Sequence, residues 1–224
     1  GPRCTPGEIS LSHNGTLFLD EAAEFRTSVL QMLRVPLESG AITLSRAGRS
    51  TTFPAKFQLL MATNPCPCGF FGSKDRICLC SGRAIEQYWK KFSGPLLDRI
   101  DIRIPVFYKN EAEITSSAKS TSELRKQIAV SQKIQFERQD KKNVFLNSEE
   151  IEKFCKDFCS SQALQLLQNA ANRYSFSPRS QAGCLKLART IADMQGKSEI
   201  SEVDMAEAVS YRKESGGMEL AFAG

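Results

Sequence analysis

Residues 17–21 read Leu-Phe-Leu-Asp-Glu, an apolar segment of strand character that runs directly into two adjacent carboxylates. A buried strand of this kind presents Asp20 and Glu21 at its C-terminal edge. That placement suits metal–nucleotide chemistry, in which one carboxylate holds Mg2+ and the next orients a water for attack on a phosphate. Alone the signal is weak, since apolar residues followed by Asp-Glu arise by chance and an acidic pair can equally cap a helix. Its weight comes from the parts that follow in order: Ala62-Thr63-Asn64-Pro65 after a second apolar stretch, then Gly94-Pro95-Leu96-Leu97-Asp98-Arg99-Ile100-Asp101.

The 224 residues, 41% hydrophobic and 25% charged, hold enough core for one large domain or two small ones. Apolar runs fall far short of the roughly 20 residues that span a bilayer, and no charged-then-apolar leader opens the sequence, so a cytoplasmic protein with no membrane partner is expected. Gly1-Pro2 in place of a starting Met reads as the remnant of a cleaved tag, and a piece of a longer protein is expected. The net charge of +5 allows contact with nucleic acid without demanding it. Of eight cysteines, four fall within residues 66–80, which points to metal before disulfide in a reducing compartment.

Residues 8–64 alternate short apolar strands with one helical stretch. A strand is expected over 8–12, a turn at His13-Asn14-Gly15, and then the strand that carries the carboxylates. Phe25, Val29, Leu30, Leu33 and Leu37 recur at helical spacing over 22–38, and Gly40 is placed to end that helix. Residues 42–53 predict a hairpin with a basic tip, followed by a buried strand over 57–62, a helix over 83–92 and a third strand over 100–106. Beyond residue 107 the pattern is helix only. A long helix ends near Arg138, 139–143 reads as a charged linker, and Asn147-Ser148-Glu149-Glu150 is a capping signal. Further helices are expected over 161–174, 178–195 and 201–213, the last capped from Ser201 to Asp204. An α/β piece followed by a helical piece results.

Leu17–Glu21 resembles a Walker B motif. The order of that motif, a basic hairpin, an Asn-terminated strand, Gly-Pro-Leu-Leu-Asp-Arg-Ile-Asp and a helical tail resembles AAA+ ATPases with a hairpin inserted before sensor 1. Within them, Gly7-Glu8-Ile9-Ser10-Leu11, Asn64-Pro65-Cys66-Pro67-Cys68-Gly69 and residues 93–101 resemble the magnesium-chelatase-like ComM/YifB family, over essentially residues 5–213. The resemblance implies an α/β fold class: a partial AAA+ P-loop NTPase core lacking the Walker A part, followed by an all-α lid domain. The expected division is 1–108 for the core with its hairpin and four-cysteine insert, 109–143 for a linker helix, 144–214 for the lid and 215–224 for a flexible tail. The family implies an enzyme that works as a homo-hexamer, coupling hydrolysis of ATP with Mg2+ to DNA strand remodelling (helicase or branch migration, natural transformation).

By the same resemblance Asp20 supports the Mg2+ shell, Glu21 polarises the attacking water and Asn64 is the sensor-1 amide; a turn-forming Asn before Pro is the plain alternative for Asn64. Arg99 matches an arginine finger that reaches a neighbouring subunit's phosphate, the alternative being an intramolecular pair with Asp98 or Asp101. Arg179, after Pro178 at a helix start, matches sensor 2 or is a solvated first-turn residue. No stretch fits G-x-x-x-x-G-K-[ST]. In the family that loop lies upstream of Gly7, so this chain alone is expected to bind ATP poorly, to hydrolyse none and to form an incomplete sheet.

Cys66-x-Cys68 and Cys78-x-Cys80 offer four thiolates in paired spacing, enough to close a tetrahedral zinc site; free thiols in a loop are the alternative. Cys155, Cys159 and Cys184 read as core, and His13 as structural. Arg46 and Arg49 at the hairpin tip, with Lys56 behind, could meet a DNA backbone without sequence preference, or form an ordinary solvated turn. Two other readings stand beside the leading one: a sigma-54 activator, which shares Gly15-Thr16-Leu17-Phe18-Leu19-Asp20-Glu21, and a non-catalytic assembly or metal-binding module.

Overall fold

The structure is a computed structural model that describes residues 5–46, 49–73, 76–106 and 119–213. It divides at Arg99 and Ile100 into two units. The boundary expected at 108 and the tail expected at 215–224 both lie outside the described residues.

The first unit begins with α1 (Glu8–Leu11), a single helical turn where the sequence predicts a strand. The Gly7 carbonyl accepts from the N–H groups of Ser10 and Leu11, and the Ser12 hydroxyl donates to the Glu8 carbonyl at 2.8 Å, so local bonds close the turn without a strand partner. Strand β1 (Thr16–Leu19) follows. The helix expected over 22–38 is broken into a 3-10 turn (Ala22–Glu24), α2 (Thr27–Met32) and α3 (Arg34–Ser39). Extended backbone at Phe25 and Arg26 makes the first break. Pro36 accounts for the second, because it has no N–H to return to the Met32 carbonyl one turn earlier. Gly40 ends α3 as predicted, at φ 66°, with its N–H on the Pro36 carbonyl.

Strands β2 (Ala41–Arg46) and β3 (Arg49–Pro54) form the predicted antiparallel hairpin, from Ala41 opposite Pro54 at the base to Arg46 opposite Arg49. Strand β4 (Gln58–Met61) then returns beside β1 and pairs with it in parallel, Thr16 with Gln58 through Leu19 with Met61. On one face of this pair Leu17, Leu19, Leu59 and Met61 pack on a core of Ala22, Ala23, Leu30, Leu33, Tyr88, Phe92 and Leu96. Tyr88 lies on α4 (Gly82–Trp89) and Leu96 on α5 (Gly94–Leu97). Phe18 and Leu60 point the other way, each more than half exposed. Among the described residues the sheet stops at two strands.

The third strand predicted over 100–106 does not form. Its alternating residues Ile102, Ile104 and Val106 are exposed. In the second unit the Arg103 N–H instead bonds the Tyr211 carbonyl at 3.0 Å, and the Asp101 carboxylate pairs with Arg212 at 2.7 Å. These bonds tie the segment to residues 211–212 rather than to a strand neighbour.

The second unit is helical: α6 (Thr121–Gln139), α7 (Ser148–Phe154), α8 (Ser161–Tyr174), α9 (Pro178–Met194) and α10 (Glu202–Lys213). The capping signal at Asn147 is realised reciprocally, the Asn147 side chain accepting from the Glu150 N–H while Glu150 accepts from the Asn147 N–H. Leu167, Cys184, Ala188, Ile200, Met205 and Ala208 belong to its buried core. Helix α6, expected to act as a linker, packs against α9. Residues 139–143 are likewise no solvated linker. Asn143 is 2% exposed and donates to Asp193 at 2.9 Å, while Arg138 grips the same carboxylate with two nitrogens. Arg189 completes the cluster, bonding Asp193 at 3.0 Å and the carbonyls of Lys197 and Ser198. No helix among the described residues is long and apolar enough to cross a membrane.

Two outcomes follow from these buried polar groups. Asp193→Ala leaves two guanidinium groups without their shared anion, so urea unfolding of the helical unit should show a loss of about 3–5 kcal/mol; a loss under about 1 kcal/mol would contradict the network. Burial opposes ionisation of Asp204, but the Ser201 hydroxyl and N–H and the Lys197 ammonium outweigh it and hold the carboxyl below its ordinary range. A depressed folded-state value contributes stability above the unfolded value, about 3.9, which is lost as pH falls through the folded one. Asp204→Asn should therefore be less stable than the parent at neutral pH, and thermal midpoints should converge on acidification below about pH 4.

Candidate functional site

Parallel pairing puts the C-terminal ends of β1 and β4 side by side. The ladder continues past both strands: the Ala62 N–H donates to Leu19 at 2.9 Å, and the Ala22 N–H to Ala62 at 2.8 Å. Asp20 and Glu21 are therefore bracketed level with Ala62, two residues before Asn64, and all three side chains are exposed. Ligands of open α/β sheets bind at this carboxyl edge. Two exposed carboxylates at one edge with an amide fit a hydrated Mg2+ and a polyphosphate, whose demand is for hard oxygen ligands and hydrogen-bond donors.

Glu21 occupies the left-handed region at φ 46° and ψ 46°. For a side chain with a Cβ this conformation is costly. It is held from both sides, since the Asp20 carboxylate accepts the Glu21 N–H at 2.9 Å and the Glu21 carbonyl accepts from Glu24 at 2.7 Å. The turn ends the alternation of β1 before Glu21. Lys91, whose ammonium donates to the Ala23 carbonyl, ties the next residues to the end of α4.

Arg99 follows α5 on the first unit. Its guanidinium donates to the Pro95 carbonyl at 2.7 Å and forms an ion pair with Glu38, leaving its side chain 13% exposed. The partner is thus neither Asp98 nor Asp101; Asp101 is held by Arg212. Glu38 sits at the end of α3, and nothing in its sequence neighbourhood signals this pairing across 61 positions. Arg179 stands exposed on the first turn of α9 in the helical unit, where the Ser177 side chain caps the helix.

At the hairpin, Arg46 and Arg49 are paired by register, and the tip residues 47–48 lie outside the described residues. Lys56 is not at the tip. It lies beyond the base of two six-residue strands, about 17 Å from the tip. The reason is a clamp on its backbone: the Lys56 N–H donates to His13 Nδ1 at 3.1 Å and its carbonyl accepts from Asn14. The structural reading of His13 thus has a defined partner.

The four cysteines at 66–80 converge. Sulfur separations are 3.4 Å for Cys66 to Cys68, 3.7 Å for Cys66 to Cys78 and 3.6 Å for Cys68 to Cys78. All four sulfurs, Cys80 included, lie within 4.8 Å of one another, and none is in a disulfide. The Phe70 N–H, with smaller contributions from the neighbouring thiols, holds Cys68 down to about 6. At Cys78 the Cys80 N–H acts downward, but desolvation and the other thiols push it up to about 12. Burial raises Cys155 to about 12 and Cys159 and Cys184 to about 11, in keeping with core thiols.

Trp89 and Tyr88 carry a role that the sequence reading missed. The Trp89 indole donates to the Pro65 carbonyl at 2.9 Å, and the Tyr88 hydroxyl lies 2.9 Å from the Thr63 hydroxyl. Both hold the segment on which Asn64 sits. Their only sequence signal is an aromatic pair on a short helix.

Residues 1–114 match the family described as magnesium chelatase, subunit ChlI, and residues 118–212 match the family of the ChlI C-terminal part. The chain is 43% identical over 211 residues to competence protein ComM of Haemophilus influenzae, covering 92% of this chain and 40% of that protein. It is 39% identical over 211 residues to the Escherichia coli protein YifB, covering 92% and 41%. An uncharacterized protein of Mycobacterium tuberculosis is 36% identical over 212 residues, covering 93% and 42%. The chain thus spans about two fifths of the length of the curated relatives it matches.

The strained Glu21 backbone makes a prediction of its own. Glu21→Gly relieves a conformation that costs roughly 1–2 kcal/mol, against a smaller entropic gain of the unfolded chain. Urea unfolding should show the first unit unchanged or more stable by up to about 1 kcal/mol. A clear destabilisation would mean that the Glu21 side chain serves the fold rather than the edge.

Proposed function

Because the chain belongs to the magnesium chelatase subunit ChlI family, we propose that it is part of a AAA+-type ATPase of ComM/YifB kind that uses ATP and Mg2+ to remodel DNA strands as a homo-hexamer. The observation that carries this reading is the parallel pairing of β1 with β4, which brings Asp20 and Glu21 to the same sheet edge as the segment leading to Asn64.

Bound Mg2+ and ATP supply a polarised phosphoanhydride; the chain's own residues hold and orient what reacts there. Asp20, with one oxygen already accepting the Glu21 N–H, offers the other to the cation shell. Glu21, at the turn that ends β1, orients a water and takes up its proton. The Asn64 amide can donate to a phosphate oxygen and accept from the same water. Arg99 has the permanent charge and planar fork to stabilise a neighbouring subunit's transferring phosphate. In one copy of the chain that fork rests on Glu38, so action in trans requires exchanging the carboxylate for the phosphate. Arg179 would approach the nucleotide from the lid. At the hairpin Arg46 and Arg49, with Lys56 contributing from the base, would meet the DNA backbone through charge alone.

ATP hydrolysis by the complete polypeptide, with and without DNA, tests the reading. Arg99→Ala should retain nucleotide binding and lose turnover by about 10³-fold or more, and Glu21→Gln should do the same. Mixing the two variants should restore part of the activity, because a mixed ring contains interfaces with an intact Glu21 facing an intact Arg99. Normal turnover by Arg99→Ala would show that its bond to Glu38 is structural. No hydrolysis by the parent under any condition would leave the assembly-module reading in place.

A further inference from the structure

We infer that Cys66, Cys68, Cys78 and Cys80 bind one zinc ion whose role is to splint the segment 63–65, and with it the Asn64 amide, at the carboxyl edge of the sheet. The importance of Asn64 rests on the ATPase reading; zinc binding and splinting do not.

The first support is the sulfur geometry. A zinc ion with four Zn–S bonds of about 2.3 Å needs sulfurs about 3.8 Å apart. The three separations given above, 3.4 to 3.7 Å, lie just inside that value, and the Cys80 sulfur lies within 4.8 Å of the other three, so small shifts of the side chains would close the set. A disulfide needs about 2.05 Å, which no pair approaches. Four soft thiolate ligands in a tetrahedral arrangement select zinc, or iron, over the hard cations suited to Asp20 and Glu21. A site with four protein ligands has no position for water, so its contribution is structural.

The second support is the backbone around the first cysteine pair. Gly69, at φ 80°, turns the chain so that its N–H meets the Cys66 carbonyl at 3.0 Å. The Phe71 N–H then points at the Cys66 sulfur at 3.4 Å. Donors of this kind orient and stabilise a metal-bound thiolate. Cys66 itself is fully buried, so a metal held there is shielded from water on that side.

The third support joins the cluster to the edge. Cys66 is two residues from Asn64, and a Cβ placed on Gly69 would lie 3.9 Å from Asn64 Cγ and Oδ1, so the turn folds back over the sensor side chain. From α4, Trp89 holds the Pro65 carbonyl and Tyr88 meets the Thr63 hydroxyl. Residues 63–65 are thereby tied both to α4 and to the cysteine cluster. With the metal removed only the tie to α4 remains.

The chain carries its own probe, because Trp89 is its single tryptophan. Protein purified under reducing conditions without chelator should contain about one zinc per chain by elemental analysis. Cobalt(II) substitution should give thiolate-to-metal charge-transfer and tetrahedral ligand-field absorption, and Cys80→Ser should lose most of the bound metal. Removing zinc with a chelator should shift Trp89 emission, reversibly on adding zinc back, with helical ellipticity unchanged. Absence of zinc, iron in its place, or an octahedral cobalt spectrum would overturn the site. Unchanged Trp89 emission, or a change that comes only with loss of helical ellipticity, would overturn the splint. Neither readout uses ATP, so failure here leaves the ATPase reading standing, and failure of that reading leaves these results untouched.

Discussion

Parallel pairing of β1 with β4 is the constraint on which the first unit depends. Two parallel strands cannot be joined by a tight turn, so α2, α3 and the β2–β3 hairpin must all be accommodated in the crossover. The pairing also decides which residues are buried. With Leu19 opposite Met61, the odd-numbered residues of both strands face the core under α4 and α5, and Phe18 and Leu60 face away together. A slip of β4 by one residue would turn Leu59 and Met61 out of the core and Leu60 into it. The same register brings both C-terminal ends to one level, so the placement of Asp20, Glu21 and Asn64 at that edge and the packing of the core share one cause.

The edge is kept in place at the expense of local comfort. Glu21 sits in the left-handed region, where its carbonyl and N–H are both used locally. Asn64 sits on a segment tied down through Pro65 and Thr63 to two adjacent aromatic residues of α4. Strain and converging side-chain supports at one sheet edge are characteristic of sites where orientation matters more than stability. Arg99 shows another side of the same economy, since a buried guanidinium needs an anion and Glu38 supplies one within the chain.

The helical unit is organised by a different kind of interaction. Asp193, fully buried, gathers Arg138, Asn143 and Arg189 from three places in the sequence. Apolar packing between helices tolerates small slips, whereas a carboxylate shared by two guanidinium groups and an amide has few equivalent arrangements. This accounts for order in the stretch at 139–143, whose composition alone reads as solvated.

Local signals in the sequence determined what local physics controls. Gly40 had to end a helix because it alone tolerates φ 66° without penalty, and the caps at Asn147 and Ser201 formed where side chain and backbone lie three residues apart. The two C-x-C pairs announced a cluster before any fold was known. Long-range pairing decided the rest. Residues 100–106 carry a strand's alternation yet form none, because among the described residues no neighbouring edge takes them up. Periodicity over 22–38 identified buried positions but not the breaks, which arise from extended backbone at Phe25 and Arg26 and from the missing N–H of Pro36. The partner of Arg99, the hold of Trp89 on Pro65 and the place of Lys56 at the hairpin base were equally hidden. Each is a contact between residues far apart in sequence, and only the folded chain brings their groups within bonding distance.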